Sequence, residues 1–215
     1  MLQKAYVGLI VIAALSAALI GCSGKPSTGL AHGEELYRTC KPCHGDAGHG
    51  NLDLRAPAIA GLPDWYIIEQ LTKFKGDIRG AHPDDMEGHR MRPMARTLYR
   101  QGDIEAVAEY VSKMPSQWMP PTYAVGDTAA GAATFNGVCT TCHGPDAKGN
   151  KDLHAPPIAQ QSDWYLMAQL TKFYDGWRGT HPDDVYGAQM RAMSLTLTDS
   201  TARHNVVAYI KSLPH

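Results

Sequence analysis

The sequence predicts an all-α fold built as two tandem copies of one small helical domain. Three observations predict it. A long internal repeat runs at an offset of 99 residues, seen in Cys40 and Cys139. Apolar residues recur at helical spacing inside each copy, while strand signals are weak. Gly (21) and Pro (14) are abundant between those segments, as turns joining short helices require. At 215 residues the chain is long enough to bury a real core, and a period near 100 is too long for a solenoid.

The first segment reads as an address rather than a structural element. Lys4 precedes 16 uncharged residues, Ala5 to Ile20, ending Leu19-Ile20-Gly21-Cys22. A basic start, a short apolar core and small residues before a cut site describe a secretory signal. An uncleaved membrane anchor is the competing reading, but 16 residues fall short of the roughly 20 that span a bilayer. The Leu-Ile-Gly-Cys ending resembles a bacterial lipobox, which implies lipidation of Cys22 and a signal over residues 1–21. Ser23 after the Cys favours the outer membrane, facing the periplasm.

The remainder divides into a first domain over 22–117, a linker over 118–126 and a second domain over 127–215. Each copy opens on a helix that runs into its cysteine pair, with Leu36 and Phe135 each four residues before the first Cys. A loop carrying Pro57 or Pro156 follows. A second helix starts after Pro63-Asp64 or Ser162-Asp163, where Asp can cap free N–H groups. Its apolar residues Trp65, Ile68, Leu71 and Phe74 predict a buried stripe. The last helix carries Ile104, Val107, Ala108 and Val111 in copy one, and Val206, Val207 and Ile210 in copy two. Met114-Pro-Ser-Gln-Trp-Met-Pro-Pro121 is a Pro-rich connector.

The copies share Asp64-Trp65-Tyr66 with Asp163-Trp164-Tyr165, and Gln70-Leu-Thr-Lys-Phe74 with Gln169-Leu-Thr-Lys-Phe173. Arg79-Gly80 and His82-Pro-Asp-Asp85 recur as Arg178-Gly179 and His181-Pro-Asp-Asp184. Met91, Arg92 and Met94 recur as Met190, Arg191 and Met193.

Chemistry enters with the cysteines. Both pairs are followed at once by histidine, in Cys40-Lys-Pro-Cys43-His44 and Cys139-Thr-Thr-Cys142-His143. This C-x-x-C-H pattern is the attachment signature of c-type haem. Two thiols on one helical turn can add to the two vinyl groups of one haem edge, and the adjacent His then reaches iron from the proximal side. A four-thiolate zinc site is the first rival, but its cysteine pairs normally lie far closer in sequence than Cys43 and Cys139. A redox CxxC needs a βαβ setting that is not visible. Structural disulfides suit an exported chain but do not call for a His after both pairs.

On these motifs, residues 31–215 resemble the class I cytochromes c, and the tandem arrangement resembles the two-domain dihaem cytochrome c4 type. The resemblance implies two covalently attached haem c groups, ligated by His44 and His143. It implies a Met sixth ligand just before the last helix, the first of each M-x-x-M: Met91 and Met190, with Met94 and Met193 as alternatives. It also implies that carbonyls of Pro57 and Pro156, each 13 residues past its His, accept the second imidazole N–H. His82, His181, Arg79 and Arg178 could reach haem propionates or could cap a loop, and the two histidines keep a bis-His alternative open. His49, His89 and His154 read as exposed loop histidines. Trp65, Tyr66, Trp164 and Tyr165 read as core and haem-edge packing rather than electron relays.

By the same resemblance the domains pack face to face, and the protein is an exported electron shuttle rather than an enzyme. Its donor would be a quinol-oxidising complex or a dehydrogenase, and its acceptor a terminal oxidase or reductase. A fixed subunit of an oxidoreductase complex is the alternative, with a dihaem peroxidase-type enzyme behind it. Charge assigns no partner: Lys+Arg 20 against Asp+Glu 21 gives a net charge of −1, and the two halves are similarly balanced. That balance excludes the basic face of a nucleic-acid-binding protein. It favours docking through a small apolar patch with modest salt dependence.

Overall fold

The structure is a computed structural model describing residues 28–123 and 126–214; the expected signal and Cys22 lie outside these residues. Helices in the first copy are α1 (Leu30–Tyr37), α2 (Lys41–His44), α3 (Asp64–Lys75), α4 (Met86–Arg96) and α5 (Asp103–Ser112). The second copy repeats them as α6 (Thr128–Thr134), α7 (Thr140–His143), α8 (Asp163–Tyr174), α9 (Val185–Ser194) and α10 (Ser200–Ser212). Among the described residues β pairing is confined to two isolated bridges, Asn51 with Ala56 and Asn150 with Ala155. The all-α, two-domain expectation holds. No helix of the described residues is long and apolar enough to cross a membrane.

Each domain is organised by the crossing of its first and last helices. A Cβ added to Gly33 would lie 2.2 Å from the Ala106 carbonyl oxygen, and one added to Gly131 would lie 2.0 Å from that of Asn205. Only glycine lets those backbones approach so closely. Below the crossing, Tyr37, Leu98, Val107 and Val111 form one core. Phe135, Leu166, Leu170, Val206, Val207 and Ile210 form the other.

Here the structure corrects the repeat. The crossing glycines and the buried aromatics Tyr37 and Phe135 are each 98 residues apart, whereas the cysteines are 99 apart. Tyr37 sits 5.7 Å from Tyr110 and Phe135 5.4 Å from Tyr209, ring centre to ring centre, so Tyr37 rather than Leu36 matches Phe135. Copy two absorbs its extra residue in a π-helical turn, Phe135–Cys139, as single insertions into helices commonly are. The stripe on α3 is also narrower than expected. Phe74 is buried and Ile67 and Leu71 pack on the core, but Trp65 and Ile68 line a cleft against the second domain.

The connector is not a free tether. Lys211 lies 5.4 Å above the Trp118 ring. The buried Asp163 carboxylate accepts from the Thr122 N–H (2.7 Å), the Thr122 hydroxyl (2.9 Å) and the Tyr123 N–H. Burial alone would raise this carboxyl, but those hydrogen bonds outweigh it and hold Asp163 below the usual carboxylate range.

Replacing Gly33 with Ala should force α1 away from α5 and destabilise the first domain by about 1–3 kcal/mol. Denaturant unfolding followed in the full chain checks this; an unchanged midpoint would mean that the crossing is not tight.

Candidate haem sites and the domain interface

Each site is assembled by a loop that doubles back on its own histidine. In copy one Gly50 donates to the His44 carbonyl (2.9 Å), and Asn51 and Ala56 exchange backbone bonds of 2.8 and 2.9 Å. Gly50 has φ +82°, and a Cβ there would lie 2.7 Å from the Pro57 carbonyl carbon, so glycine is required for closure. The closed loop delivers the Pro57 carbonyl to the imidazole, and His44 Nδ1–H donates to it at 2.8 Å. Copy two repeats the construction through Gly149, Asn150 and Ala155, with His143 Nδ1–H donating to Pro156 at 2.9 Å. A carbonyl can only accept, so Nδ1 carries the proton and Nε2 keeps its lone pair. Burial pushes both imidazoles below their usual pKa, only partly offset by the carbonyl bond, so they are neutral at pH 7.

The cysteines precede these histidines, Cys40 and Cys139 at the N-caps of α2 and α7 and Cys43 and Cys142 within them. Cys40 and Cys139 are half-buried, while Cys43 and Cys142 are exposed. Burial, reinforced by the neighbouring thiol, pushes Cys40 and Cys139 up to about 11. Among the described residues no three His, Cys, Asp or Glu side chains are placed to hold a metal ion, so the four thiols do not converge as a zinc site requires. The methionine pairs lie on α4 and α9, with Met91 and Met190 half-buried and Met94 and Met193 38% and 43% exposed. Paired thiols, a neutral imidazole with a free Nε2 and a thioether suit a haem c iron at each site.

The remaining repeat residues do something that their sequence role had not suggested. Arg79 donates to Gln70 (2.7 Å) in its own domain, and to Tyr165 and Gln169 (both 3.1 Å) in the other. Arg178 mirrors it, donating to Gln169 (2.9 Å) and across to Gln70 (3.0 Å). Burial alone would raise the Tyr165 phenol, but the Arg79 and Arg178 guanidiniums outweigh it and hold the phenol below its usual value. Tyr165 therefore belongs to the interface, and Trp164 beside it is buried under Arg55 of the first domain.

Lysines cross as well. Lys73 pairs with Asp184 at 2.7 Å, and Lys172 pairs with Asp85 at 2.5 Å and Glu87 at 2.8 Å. Identical segments of the two copies thus face each other across a pseudo-two-fold axis, where one patch must complement itself. A cavity of about 450 Å³ at its rim is lined by Trp65, Ile68 and Glu69 from one side and Lys151, Asp152 and His154 from the other.

Of the histidines expected in exposed loops, His89 and His154 depart from that reading. His154 pairs with Glu69 (3.0 Å) and stacks on Tyr186 (3.8 Å). His49 lies 3.3 Å from the Pro115 carbonyl, and His89 belongs to α4. His82 and His181 take the capping role: each Nδ1 accepts the backbone N–H two residues on, of Asp84 (3.3 Å) and Asp183 (3.2 Å). Lys73, Lys172, Asp85, Asp184, Gln70 and Gln169 hold the interface, and in the sequence only their identity in both copies marks them.

Comparison with known proteins returns the same architecture. The family described as Cytochrome c matches residues 30–115 and again 128–214. A thiosulfate dehydrogenase electron acceptor of Stutzerimonas stutzeri is 30% identical over 185 residues, covering 76% of this chain and 80% of that protein. Cytochrome c4 of Azotobacter vinelandii is 26% identical over 206 residues, covering 86% and 93%. The crystal structure of reduced recombinant cytochrome c4 from Pseudomonas stutzeri superposes with a TM-score of 0.67 at 25% identity, over 87% of this chain and all of that one.

Changing Cys142 to Ser should leave the second group held by one thioether through Cys139 with one vinyl group unreacted, read as a red shift of that haem's pyridine haemochrome band. Two intact thioethers in that domain would rule out Cys142 as an attachment point.

Proposed function

The chain belongs to the cytochrome c family, and on that premise we propose how its two haem c groups are held and what they serve. It is a dihaem electron-transfer protein of cytochrome c4 type. When bound, haem c supplies a one-electron iron couple at each site. The observation that carries the assignment of the sites is the twin histidine–proline geometry beside the two cysteine pairs, at 2.8 and 2.9 Å.

In the proposed sites Cys40, Cys43, Cys139 and Cys142 attach the groups. His44 and His143 bind iron through Nε2, with ring planes and tautomers held by Pro57 and Pro156. Met91 and Met190 complete the coordination, supported by their half-burial on α4 and α9, while Met94 and Met193 sit nearer solvent. The loop-capping contacts of His82 and His181 argue against a bis-His centre. With both axial positions filled, no site is left for a substrate, so the protein works as a carrier rather than an enzyme.

Electrons enter from a dehydrogenase or a quinol-oxidising complex outside the cytoplasm and leave to a terminal oxidase or reductase. The electron-acceptor relative supports the dehydrogenase as donor. Cys22 carries lipid after removal of residues 1–21, tethering the protein to a membrane facing the periplasm, with the outer membrane favoured.

Replacing Met91 with Ala should abolish the far-red methionine-to-ferric band of one haem and admit carbon monoxide there; Met190→Ala should do the same at the other. Loss of the band in Met94 and Met193 variants instead would move the ligands one turn along. Fractionation of a Cys22→Ser strain should find soluble, fully haem-loaded protein, and retention in the membrane would favour an anchor helix.

A further inference from the structure

Lys73 and Lys172 cross the interface in opposite directions and end on equivalent atoms. Lys172, on α8 of the second domain, reaches Oδ1 of Asp85 in the first. That same oxygen accepts the Gly88 N–H at 3.0 Å, capping the start of α4. Lys73, on α3 of the first domain, reaches Oδ1 of Asp184, which accepts the Gly187 N–H at 3.1 Å and caps α9. Both aspartates are almost wholly buried, at 2% and 1% exposure, and Lys172 is 6% exposed.

A buried carboxylate needs a countercharge to stay ionised, and an ionised carboxylate makes the stronger cap. Within its own domain each capping aspartate carboxylate accepts one backbone N–H, with the Arg79 guanidinium also attracting Asp85, and the bonded ammonium comes from the other domain. The capped helices are the two that carry the methionine pairs. Met91 lies six residues after Asp85, and Met190 six after Asp184. Gly80 and Gly179 press against Gly88 and Gly187 at the same helix starts, where an added Cβ would lie 2.6 and 2.3 Å from the carbonyl oxygen. Each helix start is therefore clamped by its own loop and locked electrostatically from across the interface.

We propose that Lys73 and Lys172 are positioning residues that act in trans, each stabilising the cap of the other domain's methionine helix and so the methionine–iron bond of the other haem. This rests on the assignment of Met91 and Met190 as ligands. It differs from simple adhesion between domains, which would disturb both haems alike or neither.

The test uses the full-length protein with both haems in place. Cyanide binding to the ferric protein reports opening of each methionine–iron bond, followed through the far-red bands as assigned with Met91→Ala and Met190→Ala. Lys172→Met should raise cyanide binding about fivefold at the first-domain haem, the size of a lost helix cap, and lower its potential. The second-domain haem should stay unchanged. Lys73→Met should do the reverse, and Lys172→Arg should retain near-native binding. The two lysines are independent, so either Met variant that loads haem decides the matter. An effect confined to the mutated domain, shared equally by both haems or absent from both overturns the proposal. If Met91→Ala and Met190→Ala leave both bands intact, the ligand assignment fails and takes the proposal with it. If they remove their bands while Lys172→Met acts on the wrong haem, the proposal alone fails.

Discussion

A single hydrogen bond, from a buried imidazole N–H to a proline carbonyl, sets the requirement that the rest of each domain meets. An unpaired N–H in that position would cost on the order of 1–3 kcal/mol, and a rotated ring would aim Nε2 at protein. The loop therefore has to close over the histidine, which explains the left-handed glycines, the two-residue bridge and the alanines packed against it. The helices then hold that loop from outside. Ile59 and Ile158 donate back to Gly48 and Ala147 at 2.8 and 2.9 Å, joining the loop to the hydrophobic core.

Duplication adds a second layer. When two copies of one domain meet about an approximate two-fold, each residue of the patch serves twice and must suit its counterpart in both directions. Gln70 and Gln169 satisfy this because an amide oxygen can accept from two guanidiniums at once. Lysine against a capping aspartate satisfies it because the donor lies on one helix and the acceptor on another. The symmetry is broken at the rim, where Arg55 of the first copy corresponds to His154 of the second, both at positive φ. One side of the interface carries a guanidinium and the other an imidazole ring.

Much of this was legible in the chain. Cys-x-x-Cys-His is a local pattern with one dominant chemical use, and the equal spacing to Pro57 and Pro156 was visible because the chain contains its own control. The helices followed from periodicity and caps. What could not be read was direction: Trp65 and Ile68 have core-like spacing, but the cleft that they line is closed by polar residues of the other domain, Lys151, Asp152 and His154. Arg79 and Arg178 look like anion binders in sequence, and only the fold shows that amide and phenol oxygens occupy their donors. The π-helical turn was hidden because the cysteine offset masked a slip of one residue upstream. Internal identity marked the interface residues, yet the same identity is expected of residues that hold haem.

Pinning the connector to Asp163 changes the thermodynamics of association. Buried ion pairs contribute little net free energy once desolvation is counted, so the crossing lysines would make a weak interface between separate proteins. Here residues 118–123 are anchored on the second domain, leaving only a few residues of slack before the first. A short tether of that kind imposes an effective concentration in the millimolar range, at which even a contact of modest affinity stays mostly closed. The interface is thereby relieved of any need for a large apolar seal, and its surface is free to be polar, directional and adjustable by single charges.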